Sequence, residues 1–222
     1  IGRRKNLKGI VSLLKDNAID VVGLTEISKG DLRSGCQNQP EDIAKGLGKF
    51  HYVYAENVTV GWFGFLATQG NAIVSRFPIL SHTNHLLYRT SKKHEQRGCL
   101  EALLDLGKGR KLRVFVAHLS LVSEESEKQI QEIFGWVQAS QEPVVLVGDF
   151  NSRPKSGRVK WLAERMTDTS SNLNTTYLNK PDVKIDYHFT SGNIKSGKAR
   201  VAGFEEGYSD HGCLINDYYL PE

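Results

Sequence analysis

Val144-Val145-Leu146-Val147-Gly148-Asp149-Phe150-Asn151-Ser152-Arg153-Pro154 is the stretch on which the reading of this chain turns. Its four leading aliphatic residues follow Pro143 without a polar break, the pattern of a strand buried on both faces. Gly148-Asp149-Phe150-Asn151 then sets a carboxylate and a carboxamide two residues apart where that strand ends, on one side of an extended backbone. A hard cation or a phosphoryl oxygen can meet both. An Asx turn that merely closes the strand accounts for the same residues equally well, because Asp and Asn bond readily to nearby backbone. The rest of the chain separates the two readings: acids and histidines recur at the ends of other apolar runs, which is how α/β enzymes assemble sites.

Working upstream, Leu112 to Ala117 reads as a strand ending in His118, and Arg97 to Asp105 as its partner across the Gly107-Lys108-Gly109-Arg110 turn. Asn71 to Ser75 is another strand, stopped by Arg76-Phe77-Pro78, and Val21-Val22-Gly23-Leu24-Thr25 is a third, with Glu26 at its end. Helical spacing marks Asn6 to Asp16, and Pro40 opens a short helix. Ser123 begins a longer helix whose apolar face is Ile130, Ile133, Phe134 and Val137, and Val159 to Met166 is a short one. Ser28 to Pro40 and Asp168 to Asp182 read as polar loops. Downstream, Ile185-Asp186-Tyr187-His188-Phe189 alternates as a strand, and the chain closes through Ser209-Asp210-His211-Gly212-Cys213. Strands and helices interleave with hairpins, so the class is α/β.

Two stretches carry a choice. The aromatic cluster Gly61-Trp62-Phe63-Gly64-Phe65-Leu66 reads first as a hairpin whose rings pack in the core, with stacking on bases or dipping into lipid as the functional alternative. His82, His85, Arg89, Lys92, Lys93 and His94 form a basic stretch that suits a phosphate backbone, although a solvated loop is the commoner outcome for such a run.

Composition bounds the answer. With 222 residues, 39% of them hydrophobic and 24% charged, the chain is long enough for one large core and is neither disordered nor fibrous. A single domain over residues 1–222 is expected. No apolar stretch approaches the roughly 20 residues of a membrane-spanning helix. A net charge of +4 suits an anionic substrate. Cys36, Cys99 and Cys213 are odd in number and lack metal-site spacing, which argues against a disulfide framework or a zinc site and favours reduced, buried thiols in a cytoplasmic setting. Nothing indicates an obligate protein partner.

The strand-end polar residues are Glu26, His118, Asp149, Asn151, Asp186, Asp210 and His211, with Arg97 close to them in type. Carboxylates gathered in one place repel each other unless a divalent cation sits among them, and oxygen ligands are what magnesium selects. Phosphoryl hydrolysis uses such a cation, a base for water and donors around the charge that builds on the phosphoryl group. The His-Glu-x-x-His spacing of zinc proteases, the Gly-x-Ser-x-Gly elbow and the P-loop are absent from the sequence.

Leu24-Thr25-Glu26, Arg97-Gly98, Ala117-His118-Leu119, Gly148-Asp149-Phe150-Asn151, Ile185-Asp186-Tyr187 and Ser209-Asp210-His211 occur in the order seen in the endonuclease/exonuclease/phosphatase superfamily, the DNase-I-like fold, which this chain resembles. Gly70-Asn71-Ala72-Ile73-Val74-Ser75-Arg76-Phe77-Pro78 is similar to that family's mid-chain strand. The resemblance implies a four-layer α/β sandwich, two packed mixed β-sheets flanked by helices, and a magnesium- or manganese-dependent phosphoesterase. It implies that Glu26 binds the metal and that Asp149 and Asn151 hold the attacking water and the phosphate. Asp186 would orient His211, while His211 and His118 contact the scissile phosphate or shuttle a proton. Asp210 would sit in the metal and water network, and Arg97 would position the site or a phosphate. Members usually begin with a strand ending in an asparagine, whereas Ile1-Gly2-Arg3-Arg4 stands just ahead of the first helix, so a domain lacking its first strand is expected. The Gly-Asp-Phe-Asn-Ser-x-Pro and Ile-Asp-Tyr forms resemble the general bacterial-type hydrolases and the deadenylase-like members of that superfamily, which implies a phosphodiester hydrolase, and the basic stretch His82 to Arg97 slightly favours nucleic acid, DNA or RNA, as its substrate. A phospholipid or sphingolipid phosphodiesterase or a phosphatase of the same superfamily is the alternative, and a catalytically inactive binding module ranks below both.

Overall fold

The computed structural model describes residues 4–31, 36–48, 50–62, 65–178 and 180–220, and two packed sheets form its centre. The first sheet contains β1 (Val21–Asp31), β2 (Gln37–Asn38), β3 (His51–Trp62) and β4 (Phe65–Ser75) in the order β2-β1-β4-β3, all antiparallel. Its outer face carries α1 (Arg4–Asp16) and α2 (Gln39–Gly46). The second sheet contains β5 (Ile79–Leu86), β6 (Gly98–Gly107), β7 (Arg110–His118), β8 (Val144–Asp149), β9 (Thr167–Asp168) and β10 (Asp186–Ser191), in the order β5-β6-β7-β8-β10-β9. Here β7 and β8 run parallel, joined by the crossover helix α3 (Ser123–Ala139). Helix α4 (Gly157–Ala163) packs beside α3 on the outer face. Two short ribbons, β11 (Lys195–Ser196) with β14 (Tyr218–Tyr219) and β12 (Arg200–Ala202) with β13 (Cys213–Ile215), complete the described strands.

Three apolar clusters show why these elements stack in four layers. Leu7, Ile10 and Leu14 of α1 meet Ile27, Ala72 and Val74 on one face of the first sheet. Ile73, Leu100, Val114, Val116 and Val145 fill the space between the sheets. Ile130, Ile133 and Val137 of α3 and Leu162 of α4 cover Phe115, Leu146 and Phe189 on the far face of the second sheet. Strand β8 therefore buries both sets of its alternating side chains, which is why Val144 to Val147 shows no polar alternation. The architecture is the expected α/β sandwich of two sheets with helices outside.

Several boundaries differ from the sequence reading. Ser28 is not the start of a loop: β1 continues to Asp31 because β4 supplies backbone partners as far as Lys29↔Thr68, and a bulge between Leu24 and Ile27 absorbs the change of register. His82 and His85 belong to strand β5, so the first half of the basic stretch is not a loop. A hairpin does span the aromatic cluster, Trp62 pairing with Phe65, but the side chains of Trp62, Phe63 and Phe65 lie outside the described residues. Ile1-Gly2-Arg3, on which the expectation of a missing strand rested, also lies outside them. Cys99 and Cys213 are buried or half-buried as expected, whereas Cys36 is exposed. Among the described residues no helix is long and apolar enough to cross a membrane.

Candidate active site

Strand register assembles the site. Because β8 lies between β7 and β10, Asp149 stands level with His118 on one side and Asp186 on the other. Gly148 makes that approach possible: its φ is +139°, and a Cβ there would lie 1.9 Å from the Ala117 carbonyl oxygen. Beyond β8, Asn151 takes a left-handed φ of +45° and its N–H donates to Asp149 Oδ1 at 2.7 Å. The Asx turn and the candidate site are thus the same structure: one Asp149 oxygen closes the turn, and Oδ2 stays turned toward two imidazoles. Asp149 Oδ2 is 3.5 Å from His118 Nε2 and 4.0 Å from His211 Nε2.

His211 follows β12 in the closing segment, and its Nδ1 lies 2.9 Å and 3.1 Å from the two oxygens of Asp186. That contact fixes the proton on Nδ1 and leaves Nε2 facing Asp149. Burial alone would lower the His211 pKa, but the Asp186 bond together with the charges of Asp186, Asp149 and Asp210 outweighs it and raises the group to about 9. Asp149 moves the opposite way to a usual carboxylate in water: burial first, then the Asp186 charge, pushes it up to about 7, and Glu26 adds to the rise. The ligand atoms of Asp149, Asp186 and His211 lie within 4.8 Å of one another, close enough to share a cation.

His118 is buried and is met by two donors. Arg97 Nη1 lies 2.9 Å from Nδ1 and 3.0 Å from Nε2, and Asn151 Nδ2 lies 3.1 Å from Nε2. A ring that accepts from such neighbours must keep a lone pair, and burial, then the Arg97 charge, then that of His211, depresses its pKa to about 3. His118 is neutral at any physiological pH. Asn151 Nδ2 also donates to Leu119 O at 2.9 Å, so both of its amide hydrogens are spent inside the protein. Arg97 is held from the other side by Glu95 Oε1 at 2.9 Å.

Glu26 occupies the β1 bulge with φ at +52°, and its side chain is exposed. It shares the lining of a cleft with Asn71, Glu95, Arg97 and His118. Asp210 is exposed; its carbonyl oxygen accepts from Leu178 N at 2.7 Å, and its charge acts on His211. Strands from both sheets therefore bring Glu26, Arg97, His118, Asp149, Asn151, Asp186, Asp210 and His211 to one end of the sandwich.

A scan of family models matches residues 2–211 to the Endonuclease/Exonuclease/phosphatase family. This chain belongs to that family. Endonuclease/exonuclease/phosphatase enzymes are hydrolases acting on phosphate esters and are typically dependent on a divalent metal. Solved structures share the fold. A family protein from Beutenbergia cavernae superposes with a TM-score of 0.79 at 21% identity, over 96% of this chain and 66% of its own. The mannosyl-6-phosphatase Bt3783 of Bacteroides thetaiotaomicron gives 0.77 at 16% identity, over 97% of this chain and 91% of its own. The human Nocturnin catalytic domain with bound sulfate gives 0.73 at 17% identity, over 96% of this chain and 86% of its own. No curated protein matched the sequence.

Two contributors escaped the sequence reading. Thr176 is fully buried, and its hydroxyl oxygen accepts from both Ile185 N and Asp186 N at 3.1 Å. Tyr177 pairs by backbone with His211 and sets its ring edge-on to the imidazole, centroids 5.0 Å apart. Both sit in a polar loop with no periodicity, so no local signal pointed to them.

Proposed function

We propose that this family member is a phosphodiester hydrolase that works with magnesium or manganese. The reading is carried by one arrangement: His211 is clamped by Asp186 on Nδ1, with Nε2 aimed across a 4.0 Å gap at Asp149, whose pKa is raised into the neutral range. Asp149 takes the proton from an attacking water, a task that its elevated pKa suits. Protonated His211 donates from Nε2 to a phosphoryl oxygen, and Asp186 keeps its ring oriented and charged. His118 is held neutral, so a proton-shuttle role falls away; with Asn151 it orients Asp149, and Arg97 lends positive charge on the cleft side.

The donor set fits a hard dication. Glu26 offers carboxylate oxygens into the cleft, Asp210 stands beside His211, and the repulsion between Asp149 and Asp186 is of the kind a bound cation relieves. Glu26 would hold the divalent cation, with Asp210 in its water network, and the cation would supply charge to offset that building on the phosphoryl oxygens.

The substrate proposal is nucleic acid, on a narrower footing than the basic stretch gave it. His85 stacks on Trp136 at 4.0 Å and contacts Glu101, His94 contacts Glu125 at 2.6 Å, and Arg89 donates to His94 O. Lys92, Lys93 and His82 remain exposed for a phosphate backbone. The test is a panel of single-stranded DNA, abasic duplex, RNA, sphingomyelin vesicles and a chromogenic phosphodiester, each with magnesium and with chelator. Magnesium-dependent cleavage of a nucleic acid with steep salt dependence is the expected result. Turnover that survives chelation would refute the metal-dependent reading, and turnover on vesicles alone would replace the substrate class.

A further inference from the structure

Asn71 sits on β4 opposite the bulge that carries Glu26. Its chain neighbours Ala72 and Gly70 pair with Leu24 and Ile27, and Thr25 and Glu26 bulge out between those pairs. Only 1% of Asn71 is exposed. Its Nδ2 reaches across to the second sheet, donating to Gly98 O at 2.8 Å and to Val116 O at 3.2 Å. Both amide hydrogens are used, and Oδ1 is left buried without a partner. A buried acceptor without a donor is costly and uncommon, so a group that donates belongs beside it.

The cleft next to Asn71 supplies the space. It has a volume of about 10 Å³ and is lined by Asn71, Glu26, Arg97 and His118, among others. That is about the volume that one water needs. Arg97 in the same wall is engaged by Glu95 and His118, whereas the Glu26 carboxylate has no ion-pair partner among the described residues. A water there can give one hydrogen to Asn71 Oδ1 and turn a lone pair outward, toward a cation at Glu26.

We propose that Asn71 is the buried end of the cation site, its Oδ1 accepting a hydrogen bond from a water in the shell of the dication that Glu26 holds. Magnesium keeps several of its waters in protein sites, and neutral acceptors that fix those waters set affinity. The proposal rests on the functional reading above, and goes beyond it in giving Asn71 a part in cation binding as well as in tying the sheets together.

The test separates the oxygen from the tie. Asn71→Asp and Asn71→Leu both abolish the donation to Gly98 O and Val116 O, and both are close to Asn in size, but only Asp keeps an oxygen facing the cleft. Manganese affinity of each purified protein, without substrate, is read by electron paramagnetic resonance or calorimetry, with circular dichroism to check folding. Asn71→Leu is expected to bind about tenfold to a hundredfold more weakly, while Asn71→Asp stays near or above the wild type. Equal affinity in all three proteins, or equal loss in both variants, overturns the proposal. Should neither variant fold, the wild type still decides: the Asn71 side-chain amide resonance must shift with magnesium, and its indifference to the ion overturns the assignment. Wild-type protein that binds no manganese at all overturns the cation reading as well, whereas binding that ignores Asn71 overturns this inference alone.

Discussion

Asp149 and His211 face each other with their proton affinities displaced in the same upward direction, to about 7 and about 9. In the proposed mechanism the working form has Asp149 ionised and His211 protonated. The kcat/KM profile is therefore expected to rise as pH passes through about 7 and to fall through about 9. Asp186→Asn removes the carboxylate that raises His211, so the alkaline limb should move down toward the ordinary histidine value near 6.5; an unmoved limb would show that another group sets it. His211→Ala and Asp149→Asn should each lower turnover by about 10²- to 10⁴-fold, the range for a proton-transfer group, with circular dichroism unchanged. Near-normal rates in either variant would refute its role. At this scale the residue types were legible in the sequence, since acids and histidines at strand ends are a local pattern. The neutrality of His118 was not, because it depends on Arg97, which is 21 residues distant in sequence and meets the ring through the β6–β7 pairing.

At the scale of elements, Glu125 ties the segment between β5 and β6 to α3. It is fully buried and accepts from Thr90 N, Thr90 Oγ1 and Ser120 Oγ at 2.6 Å, with His94 Nδ1 also at 2.6 Å. Burial alone would raise its pKa, yet the bonds from His94, Ser120 and Thr90 outweigh that and hold it at about 2. A depressed acid contributes stability above its ordinary value near 4.5 and loses it as pH falls toward about 2. Glu125→Gln should accordingly flatten the acid limb of the unfolding profile between those values, measured by urea melts across pH. A limb identical to the wild type would mean that the tie carries no net stability. Gly148→Ala belongs to the same scale, since it forces β7 and β8 apart just ahead of Asp149. A loss of at least about 3 kcal/mol is expected from strain and collision together, and an unchanged denaturation midpoint would contradict that close approach. Strand and helix identities were readable here from periodicity. The fate of His85 and His94 was not, because Trp136 and Glu125 lie on a helix that arrives only by tertiary packing.

For the whole molecule, the two sheets bring like charges to one end of the sandwich, and apo protein should be least comfortable where those charges are complete. His211 is a raised base: its contribution is full below its ordinary value near 6.5 and fades as pH climbs through about 9. Asp149 is a raised acid, so stability falls as pH rises from its ordinary value near 3.8 to about 7 and stays lost above that. On the proposed reading magnesium binds the ionised site, and binding to the native state alone raises Tm by mass action. The Tm increment from magnesium should therefore be larger at pH 8 than at pH 6. An increment independent of pH would separate the cation from these carboxylates.

The sequence by itself determined the class, the order of strands and helices, and the residue types at the strand ends, because two-residue and 3.6-residue periodicities and strand-closing acids are properties of neighbouring residues. It also carried the family resemblance that the match over residues 2–211 bears out. Tertiary structure alone decided that β1 runs on past Glu26, that Thr176 braces Asp186 from a patternless loop, and that His85 and His94 of the basic stretch are taken up by Trp136 and Glu125 of α3. Those outcomes depend on which surfaces meet when four layers close, and the partners that meet there are far apart along the chain.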